Sequence, residues 1–203
     1  MTSEDPAASL DWPRIEQWAQ EIAAGEPVSL RQVFAAQGAR GPALHWQPGV
    51  EALPAQQHRF LLRYWDDLRG ARPLPLRSEI DAVEMRAALG YVNLVDAVEG
   101  ARDFRYRVFG SVIASVSGFD MTGQLASTLK ASAYITEFSL AALRAAFRRR
   151  EPLYTEHGPP ATVYTATWHR LVLPLADADG GVTRFLIGMV PMTQDGKPVA
   201  PRL

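Results

Sequence analysis

The residues of this chain with chemistry to offer are few: four histidines, a run of three arginines, an arginine set just ahead of a glycine and a serine, and no cysteine at all. His157 and His169, with Glu156 beside the first, hold the donor types of a small metal site or an acid–base pair. No motif brings these groups together, and histidines in strands are usually structural residues. We therefore expect no metal, no catalytic residue and no enzyme activity. The lack of cysteine removes disulfides, thiolate nucleophiles, cysteine-ligated metals and covalent cysteine–flavin adducts. Phosphate-binding glycine patterns of the GxGxxG or Walker type are also missing.

Arg107, followed by Gly110 and Ser111, could clamp a carboxylate or phosphate from the mouth of a pocket. A salt bridge that pins a helix, for instance to Asp120, is the commoner fate of such a residue. Arg148, Arg149 and Arg150 sit where a helix ends, so they complement the negative end of its dipole rather than mark a nucleic-acid surface.

Charge balance agrees. The 203 residues carry 21 basic and 22 acidic groups, a net charge of −1, with 47% hydrophobic and 21% charged residues. That is a folded, near-neutral chain without the basic excess that phosphate-backbone binding needs. The acidic N-terminus does not read as a secretory signal, and no long apolar run follows, so a cytoplasmic protein without a membrane span is expected.

The elements that must position these residues follow from periodicity. Asp11 caps a helix over 12–24 with an apolar stripe of Trp12, Ile15, Trp18, Ala19 and Ile22. An exposed Trp12, Trp18 and Ile22 face would need a partner. Ser29 and Gln32 predict a capping box for a second helix ending near Gly38. The Gly- and Pro-rich stretch 38–49 reads as a linker. A third helix runs from Pro54 to Gly70 with Phe60, Leu61, Tyr64, Trp65 and Leu68 on one stripe. The run 72–80 is extended, and a short helix is expected over Asp81–Leu89.

Residues 91–99 and 103–110 form a predicted hairpin. Residues 111–129 suit short connecting helices, and 132–150 one long helix. Extended runs at 152–157, 163–175 and 182–192 close the pattern, the last two joined by the tight turn 177–181. Strand alternation sets Phe104, Tyr106 and Val108 against Arg105, Arg107 and Phe109. It likewise sets Tyr164, Ala166, Trp168, Arg170 and Val172 against Thr167, His169, Leu171 and Leu173. Large apolar residues on both faces imply that both are covered, one by core helices and the other by the N-terminal helices or a partner.

Two strands, small helices, a long helix and a three-stranded meander make up a pattern that resembles the short bacterial PAS family. The matching residues are Tyr64 and Trp65, the LPLR run ending at Arg77, FRYRVFGS from Phe104 to Ser111, GFDMTG from Gly118 to Gly123, and HRLVLPL from His169 to Leu175. The similarity spans roughly residues 57–192. Where the family often has a proline after the position of Ile80, this chain has Asp81 and Ala82.

The resemblance implies an α+β fold: a five-stranded antiparallel sheet with helices on one face, plus N-terminal helices. Domain limits of 1–50 for the extension, 51–193 for the PAS-like unit and 194–203 for a tail follow. It further implies a stand-alone sensory or regulatory module that binds a small molecule or a partner protein, the alternative being a ligand-free dimerisation adaptor. Tyr106, Arg107, Tyr134, Phe138, Trp168, His169 and Met189 are the expected ligand-binding residues. The cofactor stays unspecified, although haem is disfavoured because the long helix has no histidine. Expected partners are a small-molecule ligand, a second copy docked through the N-terminal helices or a sheet face, and a downstream signalling protein. Nucleic acid is not expected.

Overall fold

Periodicity places the first helix, and its caps fix both ends. In the computed structural model, which describes residues 10–158, 167–193 and 195–199, α1 runs Trp12–Ala24. The Asp11 carboxylate accepts the Arg14 N–H at its start, and Gly25 closes it with φ 84°. The second helix, α2 (Val28–Ala36), starts differently from expectation. Ser29 lies inside the helix, and its start has no side-chain cap of its own. Instead the Glu21 carboxylate reaches across from α1 and accepts the Ser29 N–H at 2.9 Å and its hydroxyl at 2.6 Å. A tertiary contact thus replaces the local capping box.

Three further helices follow: α3 (Gln56–Arg69), α4 (Ser111–Ser117) and α5 (Ala133–Arg149). The short helix expected over Asp81–Leu89 is instead a series of turns with scattered bonds, such as Met85 N–H to Asp81 O and Ala88 N–H to Met85 O.

The sheet has six strands, not five: β1 (Ala43–Trp46), β2 (Val92–Val98), β3 (Asp103–Val108), β4 (Leu153–His157), β5 (Thr167–Ala176) and β6 (Val182–Met192). All neighbours are antiparallel, in the order β1-β4-β5-β6-β2-β3. The hairpin and the meander therefore share one sheet. The added strand comes from the stretch read as a linker. It forms only four pairs, all with β4, and is held by long-range contacts: the Trp46 indole N–H donates to Ile22 O at 3.0 Å, and Arg149 stacks over its ring. Residues 195–199, expected as tail, turn back instead, with the Val199 N–H on Pro191 O and Thr193 N–H on Lys197 O.

Both faces are covered. On the inner face lies α5, buried along nearly all its length because α1 and α2 pack on its far side. Phe34 of α2 meets Tyr134 and Phe138 edge-on, with ring centres 5.0 and 5.5 Å away. A helix buried all round must be apolar or paired all round. Glu137 accordingly sits fully buried and is neutralised by Arg14.

The outer face belongs to α3, not to α1 and α2. Trp65 donates its indole N–H to Pro174 O at 2.8 Å, and His58 Nε2 donates to Gly188 O at 3.1 Å. Gly188 permits this approach, since a Cβ there would fall 2.7 Å from Leu61 Cδ1. The stripe of Ile15, Trp18, Ala19 and Ile22 on α1 is consumed inside the chain, so it offers no free dimer surface.

Candidate functional site

Between the inner face of the sheet and the α4–α5 layer lies a cavity of about 560 Å³. Alternation on β5 and β6 aims Trp168, Arg170, Ile187 and Met189 into it, while β3 contributes Tyr106 and β2 Asn93. The start of α5 adds Tyr134, Ile135 and Ser139. At the β3–α4 junction the chain turns sharply. A Cβ on Gly110 would lie 2.5 Å from Gly90 O, so only glycine fits, and its N–H is held by the buried Asn93 side chain at 3.0 Å. That turn carries Phe109 into the cavity, where it meets Tyr106 edge-on at 5.3 Å.

Four of the residues expected to bind ligand are thus brought together around this space: Tyr106, Tyr134, Trp168 and Met189. Phe138 lies just behind them, under Arg170, whose Cζ is 5.1 Å from its ring centre. Arg107 and His169 are corrections. Arg107 lies on the face opposite Tyr106 and so points outward, as alternation requires; the bulge opposite Leu94 and Val95 instead reverses the residues after it, leaving Val108 exposed and Phe109 in the cavity. On the outer side Arg107 Nε donates to Asp96 Oδ2 at 2.6 Å, and Arg184 Nε bonds the other oxygen. Burial alone would raise the Asp96 carboxyl, but the two arginines override this and hold it below the usual carboxylate range. The salt bridge expected of Arg107 exists, with Asp96 in place of Asp120. Tyr164 and Ala166 lie outside the described residues.

His169 faces α3 on the outer side, where its Nδ1 lies 2.5 Å from the Tyr154 hydroxyl, which also contacts Glu156 Oε1 at 2.9 Å. His157, adjacent to Glu156 in β4, points to the opposite face and lines the cavity. The strand period of two therefore separates His157 from Glu156 and His169, which lie 3.7 Å apart on the outer face. Among the described residues, no cluster of three His, Cys, Asp or Glu could hold a metal.

The residue that sequence reasoning passed over is Arg170. It is only 4% exposed. Its Nε makes a long 3.4 Å contact to Thr155 Oγ1, its Nη2 has no partner, and no carboxylate pairs with it among the described residues. Burial pulls its pKa down to about 10, an effect offset in part by Tyr106. Beside it His157 is buried with Nδ1 unpartnered, its ring edge-on to Phe138 at 5.4 Å. Burial, then the Arg170 charge, pushes this imidazole down to about 3, so it is neutral near pH 7. The signal for Arg170 was present: alternation alone set it on the face of Trp168.

The arginine run at the end of α5 is structural. Arg148 pairs with Glu16, Arg149 with Glu151 and Ala23 O, and Arg150 with Gly180 O. No helix among the described residues is long and apolar enough to cross a membrane.

An antiparallel sheet, one long helix across its inner face and a cavity between them define an α+β module. Residues 54–190 match the family model described as PAS domain, and the chain belongs to that family. A solved chain of an RNA-binding light-oxygen-voltage receptor is similar, with 12% identity and a TM-score of 0.40, covering 90% of this chain and 60% of that one. No curated protein matches.

Proposed function

We propose that this chain is a sensory PAS module whose input is a small molecule held in the cavity between the sheet and α5, and whose output leaves through another protein. Residues 51–193 form the sensory unit and residues 1–50 its N-terminal extension, whose helices α1 and α2 pack onto α5. One observation carries the reading: a preformed cavity of about 560 Å³, walled by Tyr106, Phe109, Trp168 and Met189, also contains a few converging polar groups. Mostly apolar walls with a small number of placed polar atoms are the mark of a ligand pocket rather than of a packed core. The adaptor alternative loses its main support because the Trp18 and Ile22 face is already buried.

Native mass spectrometry of the freshly purified chain, together with a thermal-shift screen of small metabolites, tests this. A retained mass or a stabilising metabolite is expected, and Ile135→Trp, which fills the cavity, should abolish either. A clean apo mass with no stabilising compound in the screen would replace the receptor by the adaptor.

A further inference from the structure

We propose that the cavity selects organic acids: an apolar or aromatic body packs against Trp168, Met189 and Tyr106 while a single carboxylate pairs with Arg170. This rests on the receptor reading above and narrows its ligand class.

Charge distribution is the first support. Among the described residues the cavity lining includes Arg170 within and the exposed Lys130 at its edge, but no Asp or Glu. The stretch 159–166 contains no acidic residue either. Among the described residues the other buried ionic groups are satisfied: Glu137 by Arg14, Asp96 by Arg107 and Arg184, Arg144 by Glu16, and Asp103 by the N–H groups of Phe104 and Ser127. Among the described residues Arg170 is the buried cation with no carboxylate partner, a guanidinium almost wholly removed from water with an unpartnered Nη2. A buried cation without a counter-charge is costly, so the fold retains it at a thermodynamic disadvantage that an incoming anion relieves.

Geometry sets the head group. Phe138 stacks against the guanidinium, and Thr155 holds its Nε only loosely. What remains free suits one planar carboxylate, which matches the fork of an arginine. A phosphate would call for further donors, and among the described residues Lys130 at the edge is the only other cation in the lining. His157, neutral near pH 7, adds a polar ring without a competing charge. The rest of the wall is aromatic or aliphatic, so a small hydrophilic acid would leave it unfilled.

Isothermal titration of the full chain with decanoate and with phenylbutyrate, each beside its matching alcohol, gives a test that needs no variant. The acids are expected to bind at least about tenfold more tightly than the alcohols, because a charge-assisted contact to a desolvated arginine supplies that difference. In Arg170→Met the preference should vanish, while the ligand-free protein melts at a higher temperature because the unpaired charge is gone. Arg170→Lys should retain part of the preference. Alcohols binding as tightly as the acids would overturn the acid selectivity and leave the receptor reading standing. Binding of neither acid nor alcohol at millimolar concentration would overturn both. An Arg170→Met protein that melts lower and still prefers acids would make the arginine a structural residue and sink the proposal.

Discussion

Glu137, in the second turn of α5, accepts Nε of Arg14 at 2.9 Å and Nη2 at 2.7 Å, and also takes the Asp11 N–H at 3.0 Å. The carboxylate is fully buried whereas the Arg14 side chain is 36% exposed. One acid thereby fixes the start of α1 on the long helix and lets the N-terminal extension share the sheet's core.

That asymmetry of burial makes the two halves of the pair unequal. Arg14→Ala strands a buried charge and should cost about 3 kcal/mol, whereas Glu137→Gln leaves a cation that can reach water and should cost roughly 1–2 kcal/mol. Urea denaturation of both variants measures the difference. Equal losses, or a larger one for Glu137→Gln, would show that the anion does not depend on Arg14.

Stability should fall on mild acidification. Burial lowers the His58 imidazole to about 4, a shift resisted by its bond to Gly188 O, and lowers His157 to about 3. The unfolded chain binds protons at these sites from about pH 6.5 downward while the folded chain does not. The unfolded state therefore holds more protons, and stability rises with pH across this window. Each histidine contributes a slope of roughly 1.4 kcal/mol per pH unit between about pH 6 and its folded value. Denaturant midpoints should drop steadily from pH 7 to 4.5, with His169, also held below its ordinary value by burial, adding to the trend, and His58→Gln should flatten the slope. A midpoint constant over that range would mean that these imidazoles take up protons in the folded protein.

The contact of α3 with the sheet rests on the missing side chain at Gly188. In Gly188→Ala the new Cβ would lie 2.7 Å from Leu61 Cδ1 and 3.0 Å from His58 Cδ2, so α3 must lift or repack. Overpacking of this kind costs about 1–3 kcal/mol. Leu61→Ala provides room, so the double variant should be less destabilised than the sum of the two single changes. Strict additivity in the cycle would place the damage elsewhere.

Much of this architecture is legible in the chain itself. Apolar spacing and the Asp11 cap locate α1 at Trp12–Ala24, and the same kind of signal yields α5 and the strand Val182–Met192 with little error. Those features depend on neighbours a few residues apart, which is the range over which helix and strand periods act. Alternation also assigned Trp168 and Arg170 to one face of β5, and the absence of cysteine settled what covalent chemistry is impossible.

What the tertiary structure alone decided are relationships between distant segments. The strand Ala43–Trp46 exists because β4 and the Ile22 carbonyl receive it; its Gly- and Pro-rich surroundings carry no strand period. Phe109 enters the cavity and Val108 faces out because a bulge reverses the pattern that alternation assumes after Tyr106, and a bulge is visible only when both strands are paired. His157 and His169 fall on opposite sides of a sheet whose register joins β4 to β5. Arg170 became conspicuous for the same reason. Its type and face are local properties, but the absence of a carboxylate near its buried guanidinium among the described residues depends on everything packed around it, because the cost of a charge is set by its surroundings.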